Sequence, residues 1–428
     1  MVKPTPPIAP EAPLRSDAAF SAKAQAFLTW LSGGFYSYVG NAVDFVDERA
    51  DEALAAATTF GFPSIAGKAL NFTRVNPAGT ALEFRTAAQV RSDIGATAIG
   101  ASVFTAADAA AARAALGLNS DPENRIINGA FDFWQRGTSL TSNAYGADRW
   151  FNGVSGGTVT MSRQAFTIGD TLGSNSAAVF LRQSVSGQSL ASHYAVTQQR
   201  IEGVRSYAGQ TITVLGWARR SSGAGNMAVE VVQTFGTGGS PSAEVTGIGQ
   251  PVALTGSWAP FAVTVAVPSV AGKTLGTDGN DRLELLFWTS AGSNWNTRSG
   301  SLGLQTIGVD LWGIHIKLGV HTTAAVEMYR QPELGPELLR CQRYFRVGTI
   351  YGWGHANNTT PPWRASLERF GTEMRGIPSI AFSGATYFNA NNIATDGGAQ
   401  RNGFGVRVNV IAVGSYQVDA AYTADSEI

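Results

Sequence analysis

The sequence has 428 residues, which is too long for a single hydrophobic core and predicts two to four domains of about 100–200 residues each. Charged residues make up only 14% of the chain and 50 residues are glycine, a composition typical of extended β proteins with many tight turns. The 31 basic residues balance the 31 acidic residues, so the chain lacks the basic surface that a general nucleic-acid binder needs.

The only cysteine, Cys341, cannot form an intrachain disulfide, which excludes a disulfide-stapled fold and multi-thiolate metal sites. Residues 1–13 lack the apolar core of a secretory signal, and no segment approaches the ~18 uninterrupted apolar residues of a membrane helix. We therefore expect a protein that is made in a cytoplasm, without a signal peptide and without membrane insertion.

Residues 1–60 form the first predicted region, an N-terminal helical segment. The prolines in residues 1–13 indicate an extended arm, and Ser16 or Asp17 can cap the helix that follows. A heptad-like apolar stripe runs along this helix, with an expected break at Gly33–Gly34. The stripe fits either an amphipathic hairpin packed within its own domain or a coiled-coil seam between chains, and it consists of Phe20, Ala24, Phe27, Leu31, Phe35, Tyr38, Ala42 and Phe45.

Residues 61–123 form the second region and repeat a short unit. Thr86-Ala87-Ala88 is followed by Ile94-Gly95, and Thr105-Ala106-Ala107 is followed by Leu116-Gly117. Each unit predicts a threonine-capped helical turn closed by a glycine. Because the region has few large apolar side chains, it cannot form a core alone, and we expect a shaft or linker.

From residue 124 onward the apolar pattern changes to the period of two that β-strands show. Strand-like runs separated by Gly/Ser/Asn clusters predict a jelly-roll β-sandwich over residues 124–320. These runs are Thr158–Met161, Ala177–Leu181, Thr211–Trp217, Met227–Gln233, Phe261–Val267, Leu283–Thr289 and Thr306–Lys317. Residues 321–428 are predicted as a smaller C-terminal domain, a helix around 332–345 followed by β-strands. The predicted fold class is therefore mainly β.

Large aromatic residues mark the start of the sandwich. Their strand propensity and large buried area favour core positions over ligand binding for Phe131, Phe133, Trp134 and Trp150. We expect Arg136 and Arg149 to pair with Asp132 or Asp148 and so to fix the edge of the sandwich.

Several segments of the sequence resemble segments of the tail-fibre proteins of phages and prophages. RIINGAFDFWQRG (125–137) and ADRW (147–150) resemble the opening of a β-sandwich domain common in these fibres, which looks related to jelly-roll carbohydrate-binding modules. VDLWGIHIKLG (309–319) is similar to the closing strand of that domain, and PELLRCQRYF (336–345) to the helix that follows. The segment 14–31, the words RSDIGA and RAALGL, and the terminal YTADSEI resemble the proximal end, the shaft repeats and the last strand of such fibres.

This resemblance implies a structural protein of the virion that adheres to a host cell-surface polysaccharide or lipopolysaccharide. It also implies a homotrimer, attachment to a baseplate or tail protein through residues 1–60, and no enzymatic activity. There are two alternatives: a tailspike that depolymerises surface polysaccharide, and a structural connector that carries a separate tip protein. A depolymerase needs two carboxylates roughly 5–10 Å apart, and no paired acidic motif stands out in the sequence.

The candidate glycan-binding residues combine aromatic, imidazole and amide side chains in the C-terminal region: Tyr351, Trp353, His355, Asn357, Asn358 and Trp363. Sugars stack their apolar CH faces on aromatic rings and hydrogen-bond their hydroxyls to amide and imidazole groups. The glycines and prolines of this segment predict a display loop, whereas the spacing of Tyr351 and Trp353 also fits an inward strand face in a core or trimer interface. A weaker alternative site combines Trp288, Asn294 and Trp295 on the sandwich.

Asp278, Asn280 and Asp281 place hard oxygen donors on a glycine turn and form a weak candidate calcium site. Sugar-binding sandwiches related to the resembling domain often carry one structural calcium. The full spaced loop of a calcium-binding motif is missing here, and Asp-Gly turns are common without metal. The sequence therefore predicts no required cofactor.

Overall fold

The chain folds into a mainly β protein, which confirms the predicted fold class. It divides into two compact units, Met1–Asn119 and Ser120–Ile428. Among the described residues, no helix has both the length and the apolar character that spanning a membrane requires. The computed structural model describes residues 3–10, 20–59, 72–75, 82–95, 97–106, 112, 116, 124–173, 175, 177–359 and 363–428.

The first unit is largely helical in its described part. Helices α1 (Phe20–Thr29) and α2 (Tyr36–Thr59) are joined by a π-helical segment, Trp30–Phe35, that contains Gly33 and Gly34. The expected break at these glycines is therefore wrong, because the wider helical turn keeps α1 and α2 continuous.

In the described part of this unit, α2 is followed by β1 (Phe72–Val75), β2 (Leu82–Arg85), α3 (Ala87–Asp93) and α4 (Ala98–Phe104). Thr86 caps α3 in a capping box with Gln89, and Gly95 follows this helix at a φ of 78°, as the first repeat predicts. The second repeat lies largely outside the described residues, and its first residue, Thr105, is the C-cap of α4.

Two six-stranded antiparallel sheets form the predicted β-sandwich, and the chain passes from one sheet to the other at most connections, as in a jelly roll. Sheet I contains, from edge to edge, β11 (Gln250–Ala253), β10 (Asn226–Thr234), β13 (Arg282–Ala291), β8 (Tyr194–Glu202), β5 (Trp150–Ser155) and β4 (Ala144–Tyr145). Sheet II contains β12 (Ala259–Ala266), β9 (Thr211–Gly223), β14 (Ile307–Leu318), β7 (Val179–Ser186), β6 (Thr158–Ala165) and β3 (Ser139–Leu140). Every predicted strand run overlaps one of these strands.

The sandwich core lies between the two sheets and is built from the inward-facing residues of both. Phe131 and Trp150 are fully buried there with ring centres 4.9 Å apart, as predicted, while Phe133 and Trp134 are half-buried. The indole N–H of Trp150 donates a hydrogen bond of 2.9 Å to the carbonyl of Asn128. Phe131 adopts a φ of 61°, an unusual backbone for a bulky residue, and its burial against Trp150 maintains it.

Short helical segments cover the outer faces of both sheets. The 3-10 helix Thr323–Met328 packs over an apolar cluster on sheet II that includes Trp217 and Trp312. The 3-10 turn Ser293–Trp295 and helix α5 (Asn296–Ser299) lie at sheet I, where Trp295 packs against the buried Trp288. The large aromatic side chains on these outer faces are therefore mostly withdrawn from solvent.

Helix α6 (Leu334–Gln342) lies within the predicted helical stretch and leads into the β-strands at the end of the second unit, which we call the C-terminal domain. Its sheet III consists of β15 (Phe345–Ala356), β20 (Gly414–Asp425) and β17 (Ser379–Phe388), with β20 in the centre. Its sheet IV consists of β16 (Trp363–Arg369), β19 (Gly403–Val410) and β18 (Ala390–Gln400), with β19 in the centre. A second apolar core contains residues of both sheets, among them Ile350, Phe404, Val408, Val418 and Tyr422.

Arg149 attaches the end of β20 to the sandwich. Its guanidinium is buried, forms an ion pair with Glu427 and donates a hydrogen bond to the carbonyl of Arg200. The same guanidinium lies over the ring of Tyr344, 3.5 Å from the ring centre. A cation that is held by a carboxylate, a carbonyl and an aromatic face at once ties three segments of the chain together.

Arg136 reinforces this attachment. It lies 3.1 Å from Asp425 and 3.2 Å from Glu427, and its guanidinium is 3.5 Å from the ring centre of Phe345. The backbone N–H of Ser426 donates a hydrogen bond of 2.8 Å to the carbonyl of Tyr344. The first residues of β15 and the last residues of β20 are therefore fixed on the sandwich together.

The expected pairing of these two arginines with Asp132 or Asp148 is wrong. Asp132 accepts hydrogen bonds from Gln331, and Asp148 accepts them from the backbone N–H and side chain of Gln135. The arginines instead meet carboxylates more than 270 residues further along the chain, a distance over which sequence spacing carries no information.

We predict that Glu427→Gln lowers the free energy of unfolding by about 3–5 kcal/mol, because it leaves the buried Arg149 charge without its partner. The matched control is Glu244→Gln, since Glu244 is half-exposed and lies 3.8 Å from Arg298. Urea unfolding followed by tryptophan fluorescence measures both variants. Equal midpoints for Glu427→Gln and Glu244→Gln would show that the buried ion pair does not hold the domains together.

A second carboxylate at this junction gives a pH dependence. Burial raises the pKa of Glu202, but hydrogen bonds from the Tyr344 hydroxyl and the Arg343 guanidinium outweigh it, so the pKa lies below the ordinary value of 4.5. A lowered pKa stabilises the fold above 4.5, and this contribution is lost as the pH falls through the folded-state value. The melting-temperature difference between wild type and Glu202→Gln should therefore shrink below pH 4.5, whereas a constant difference would contradict this assignment.

Candidate functional site

The outer face of sheet III carries large aromatic side chains in solvent. Tyr351 is 74% exposed, Trp353 is 83% exposed and Phe388, on the opposite edge strand, is 61% exposed. Contiguous exposed aromatic surface is uncommon on a protein and marks a site of interaction. The face consists of the outward residues of three strands, namely Val347, Thr349, Tyr351, Trp353 and His355 on β15, Ser415, Gln417, Asp419, Ala421 and Thr423 on β20, and Ala381, Ser383, Thr386 and Phe388 on β17.

Strand register arranges the central side chains of this face in two rows. Trp353, Gln417 and Phe388 are direct neighbours across the three strands. Tyr351, Asp419 and Thr386 form the adjacent row, about 7 Å further along the strands. Each row therefore places one polar β20 side chain beside an aromatic residue of β15.

Glycines on the inner face explain why the aromatics of β15 point outward. A Cβ at Gly352 would lie 2.8 Å from Val418, and one at Gly354 would lie 2.7 Å from the Tyr416 hydroxyl. Tyr416 and Val418 of β20 therefore fill the inner space beside β15, and Val418 is fully buried. The alternation of glycine and aromatic residues in β15 places small residues against the core and large rings in water.

Polar contacts order the middle and the end of the face. The Gln417 amide donates a hydrogen bond of 2.8 Å to Oδ2 of Asp419, which fixes its orientation between Trp353 and Phe388. At the strand ends, the side-chain amide of Asn389 donates a hydrogen bond of 2.8 Å to the carbonyl of Ser415. Among the outward residues named above, Asp419 is the only carboxylate, and none is lysine or arginine. The next outward carboxylate of β20, Asp425, lies at the junction with the sandwich and pairs with Arg136.

The aromatic face lies toward the end of the C-terminal domain that is remote from the sandwich. Strand β15 starts at Phe345, whose carbonyl accepts a hydrogen bond of 3.0 Å from Gln135 of the sandwich. Trp353 is eight residues further along this strand, which corresponds to about 26 Å of extended chain. The rings are therefore displayed beyond the junction, where a large ligand has access.

The structure brings together three of the six predicted glycan-binding residues, Tyr351, Trp353 and His355. The expected display loop is wrong here, because these residues lie in β15, and only Asn357 and Asn358 follow the strand. The alternative of an inward face buried in the core is also wrong, since Tyr351 and Trp353 are exposed, whereas the alternative of a trimer interface stays a prediction. Trp363 begins β16 in sheet IV, where it pairs with Asn409, so the fold does not join it to this face.

Sequence reasoning missed Phe388, Gln417 and Asp419. The period of two in residues 379–388 and 414–425 is a signal for their strands, but nothing local indicates that β20 lies between β15 and β17. Strand pairing, and not a motif, creates the site.

The weaker alternative site on the sandwich has little free aromatic surface. Trp288 is buried, and its indole N–H donates a hydrogen bond of 2.9 Å to Glu230. Trp295 is half-buried and donates to the carbonyl of Ser192, while Asn294 is exposed beside it. Burial raises the pKa of Glu230, against the opposing effect of its hydrogen bonds and ion pair with Arg298.

The three candidate calcium ligands hold a turn. The Asp278 carboxylate accepts a hydrogen bond of 2.6 Å from the Thr237 hydroxyl. The side-chain amide oxygen of Asn280 accepts a hydrogen bond of 2.9 Å from the backbone N–H of Thr237. Asp281 accepts 2.8 Å from the backbone N–H of Val204. In the described part of the chain no group of three or more His, Cys, Asp or Glu residues could hold a metal ion. In this structure the three side chains accept hydrogen bonds from neighbouring loops, which is a structural role that needs no calcium ion.

Asp132 and the buried Glu337 are the neighbouring acids that the depolymerase alternative would have to use. Burial raises the pKa of Asp132, with a further increase from nearby Glu337. Asp132 accepts two hydrogen bonds from Gln331, whereas the buried Glu337 accepts them from the Asn128 backbone N–H and from Arg340. The hydrogen bonds of both carboxylates therefore join the first residues of the sandwich, Asn128 and Asp132, to α6 and to Gln331 just before it.

Comparisons with known proteins give distant similarities only. No protein-family model and no curated protein matches the chain. Similar solved structures include the enzymatically active domain of bacteriophage CBA120 tailspike protein 4, at 16% identity and a TM-score of 0.28, covering 47% of this chain and 22% of that one. They also include a CBM4 structure, at 16% identity and a TM-score of 0.27, with coverage of 45% and 99%. A putative sugar-binding protein from Bacteroides thetaiotaomicron has 14% identity and a TM-score of 0.29, with coverage of 46% and 100%. Values this low assign no function.

Substitutions at neighbouring residues of β15 should differ in their effect on stability. Gly352→Ala should destabilise the protein by about 1–3 kcal/mol, because its new Cβ must displace Val418 in the core. Trp353→Ala should change the stability by less than about 0.5 kcal/mol, because that ring is in solvent. Thermal unfolding of the two variants measures both effects, and a large loss for Trp353→Ala would mean that the ring is packed and not displayed.

Proposed function

We propose that the chain is a phage tail-fibre protein that adheres to a host cell-surface glycan through the outer face of sheet III. The observation that carries this proposal is the exposure of Tyr351, Trp353 and Phe388 on a strand-built surface beside Gln417 and Asp419. The resemblance of the sequence words to tail fibres supplies the setting: a homotrimer in the virion, attached to a baseplate or tail protein through residues 1–60.

The chemistry of the face suits a sugar. The apolar CH face of a pyranose stacks on an exposed aromatic ring, which removes both surfaces from water. The Gln417 amide and the Asp419 carboxylate accept hydrogen bonds from sugar hydroxyls, and the amide also donates. The rings stand on strands fixed by register, so binding orders few side chains and loses little conformational entropy. Adhesion of this kind needs no cofactor.

Repetition strengthens such a site. A single stacked ring contributes about 0.5–1.5 kcal/mol, which is weak for attachment to a cell. Three copies in a trimer, facing a repetitive surface polysaccharide, make the second and third contacts intramolecular and raise the avidity by orders of magnitude. The proposed trimer and the modest chemistry of one face are therefore consistent with each other.

The depolymerase alternative relies on Asp132 and Glu337. Release of reducing sugars from purified host polysaccharide, abolished by Asp132→Asn, would favour it. The connector alternative requires that labelled protein leave host cells unstained. The face on sheet III favours adhesion over a connector, which gives no role to exposed aromatic residues. It also favours adhesion over a depolymerase, because the outward residues named above include one carboxylate, Asp419, and glycoside hydrolysis needs two.

The test is adsorption of the full-length double variant Trp353→Ala, Phe388→Ala to host cells. Each lost ring should weaken one site by about 1 kcal/mol, or about fivefold, and avidity multiplies this loss, so adsorption should fall tenfold or more. The matched control is Leu367→Ala, which removes a 57% exposed apolar side chain from sheet IV.

Native mass measurement accompanies the adsorption assay. The double variant should keep the mass of the wild-type assembly, about three times 44.9 kDa if the chain is a trimer. Normal adsorption by the folded double variant would contradict the proposal. A double variant that dissociates would also contradict it, because the face would then be an interface between copies of the chain.

A further inference from the structure

The charge of the aromatic face indicates which glycans it takes, if the proposed function is correct. We infer that this face selects uncharged glycans and discriminates against acidic ones, with Asp419 as the discriminating residue. The inference concerns the same site but rests on a different observation, the distribution of charge around the rings.

Asp419 occupies the centre of the face. It lies on the middle strand β20, with Tyr351 beside it on one edge strand and Thr386 on the other. Its Oδ2 accepts one hydrogen bond, from Gln417, and a carboxylate oxygen can accept a second, whereas Oδ1 is buried. The carboxylate therefore keeps unused acceptor capacity next to the row that contains Trp353 and Phe388.

No cation balances this carboxylate within the face. The other residues named as forming the face are apolar, hydroxyl, amide or imidazole residues. Arg136 pairs with Asp425 at the other end of β20, six residues along the strand from Asp419. Arg346, the arginine of β15, lies over the ring of Phe370, 4.5 Å from its centre, on the inner side of the strand. The face therefore presents a negative charge and no lysine or arginine that could recognise a carboxylate or phosphate.

This arrangement treats two classes of sugar differently. A neutral pyranose stacked on Trp353 can donate a hydroxyl hydrogen bond to Asp419 or Gln417. A uronic acid in the same place would bring its carboxylate within the diagonal strand spacing of about 7–8 Å from Asp419, with no compensating cation. Repulsion between two unit charges at that distance, at an effective dielectric constant between those of water and of a protein surface, weakens binding roughly three- to tenfold.

The experiment uses the full-length protein and a polysaccharide purified from the surface of an adsorbing host. Three immobilised forms serve as probes: the native polymer, the polymer with primary hydroxyls oxidised to carboxylates, and the polymer with any native carboxyls reduced to alcohols. The wild type should bind the uncharged form at least threefold more tightly than the oxidised form, and this preference should diminish at high salt.

Two variants assign the preference to Asp419. Asp419→Asn removes the charge but keeps the shape and an acceptor for Gln417, and it should bring binding of the oxidised polymer close to that of the uncharged one. Ser415→Lys places a cation next to the Trp353 row and should raise binding of the oxidised polymer above the wild-type level. Both variants are tested, so the inference stays falsifiable if one of them fails to fold.

The outcomes separate this inference from the proposed function. Equal or tighter binding of the oxidised polymer by the wild type, or an unchanged preference in folded Asp419→Asn, overturns the inference. In those cases the proposed function stands as long as Trp353→Ala, Phe388→Ala still loses binding to every form. Binding to none of the three forms by the wild type contradicts both.

Discussion

The buried ion pair of Arg149 with Glu427 is the interaction on which the placement of the C-terminal domain depends. Glu427 follows β20 directly, and β20 is the central strand of sheet III. Because the end of β20 is held on the sandwich next to the start of β15, the position of its last residues is fixed, and this sets the register of β20 against β15 and β17. That register decides which side chains share the outer face. A buried charge pair of this kind contributes less to stability than to the choice of one arrangement, since its desolvation offsets much of its attraction.

The outer face of sheet III has a composition that stability alone does not explain. Burying a large aromatic side chain contributes about 1.5–3 kcal/mol, and Trp353 and Phe388 forgo this contribution. The inner face of β15 carries glycines, which the neighbouring side chains of β20 cover. A chain selected only for folding would place its rings inside and its small residues outside. The reversed order in β15 is the physical reason to assign this face to binding.

The sandwich could be predicted from sequence where the chain alternates large apolar residues with small or polar ones, as in Thr158–Met161 or Phe261–Val267. Strand β8 was missed because its centre is polar, with Gln199 buried and hydrogen-bonded to both backbone groups of Ile127. The site could be predicted in part. The words around Tyr351 and Trp353 pointed to it, but their partners on β17 and β20 depend on pairing between distant strands. The carboxylates that pair with Arg136 and Arg149 could not be predicted, because they also lie far along the chain.

The central claim is that Trp353 and Phe388 contact the glycan directly. Hydroxyl-radical footprinting of the full-length protein, with and without purified host polysaccharide, tests it residue by residue. The account predicts rapid oxidation of Trp353 and Phe388 in the free assembly and strong protection when polysaccharide is added. Leu367 on sheet IV should oxidise equally in both samples, and the buried Trp288 should stay protected in both. Protection of Trp353 and Phe388 in the free assembly, or no change on addition of a polysaccharide that the protein binds, would contradict the account.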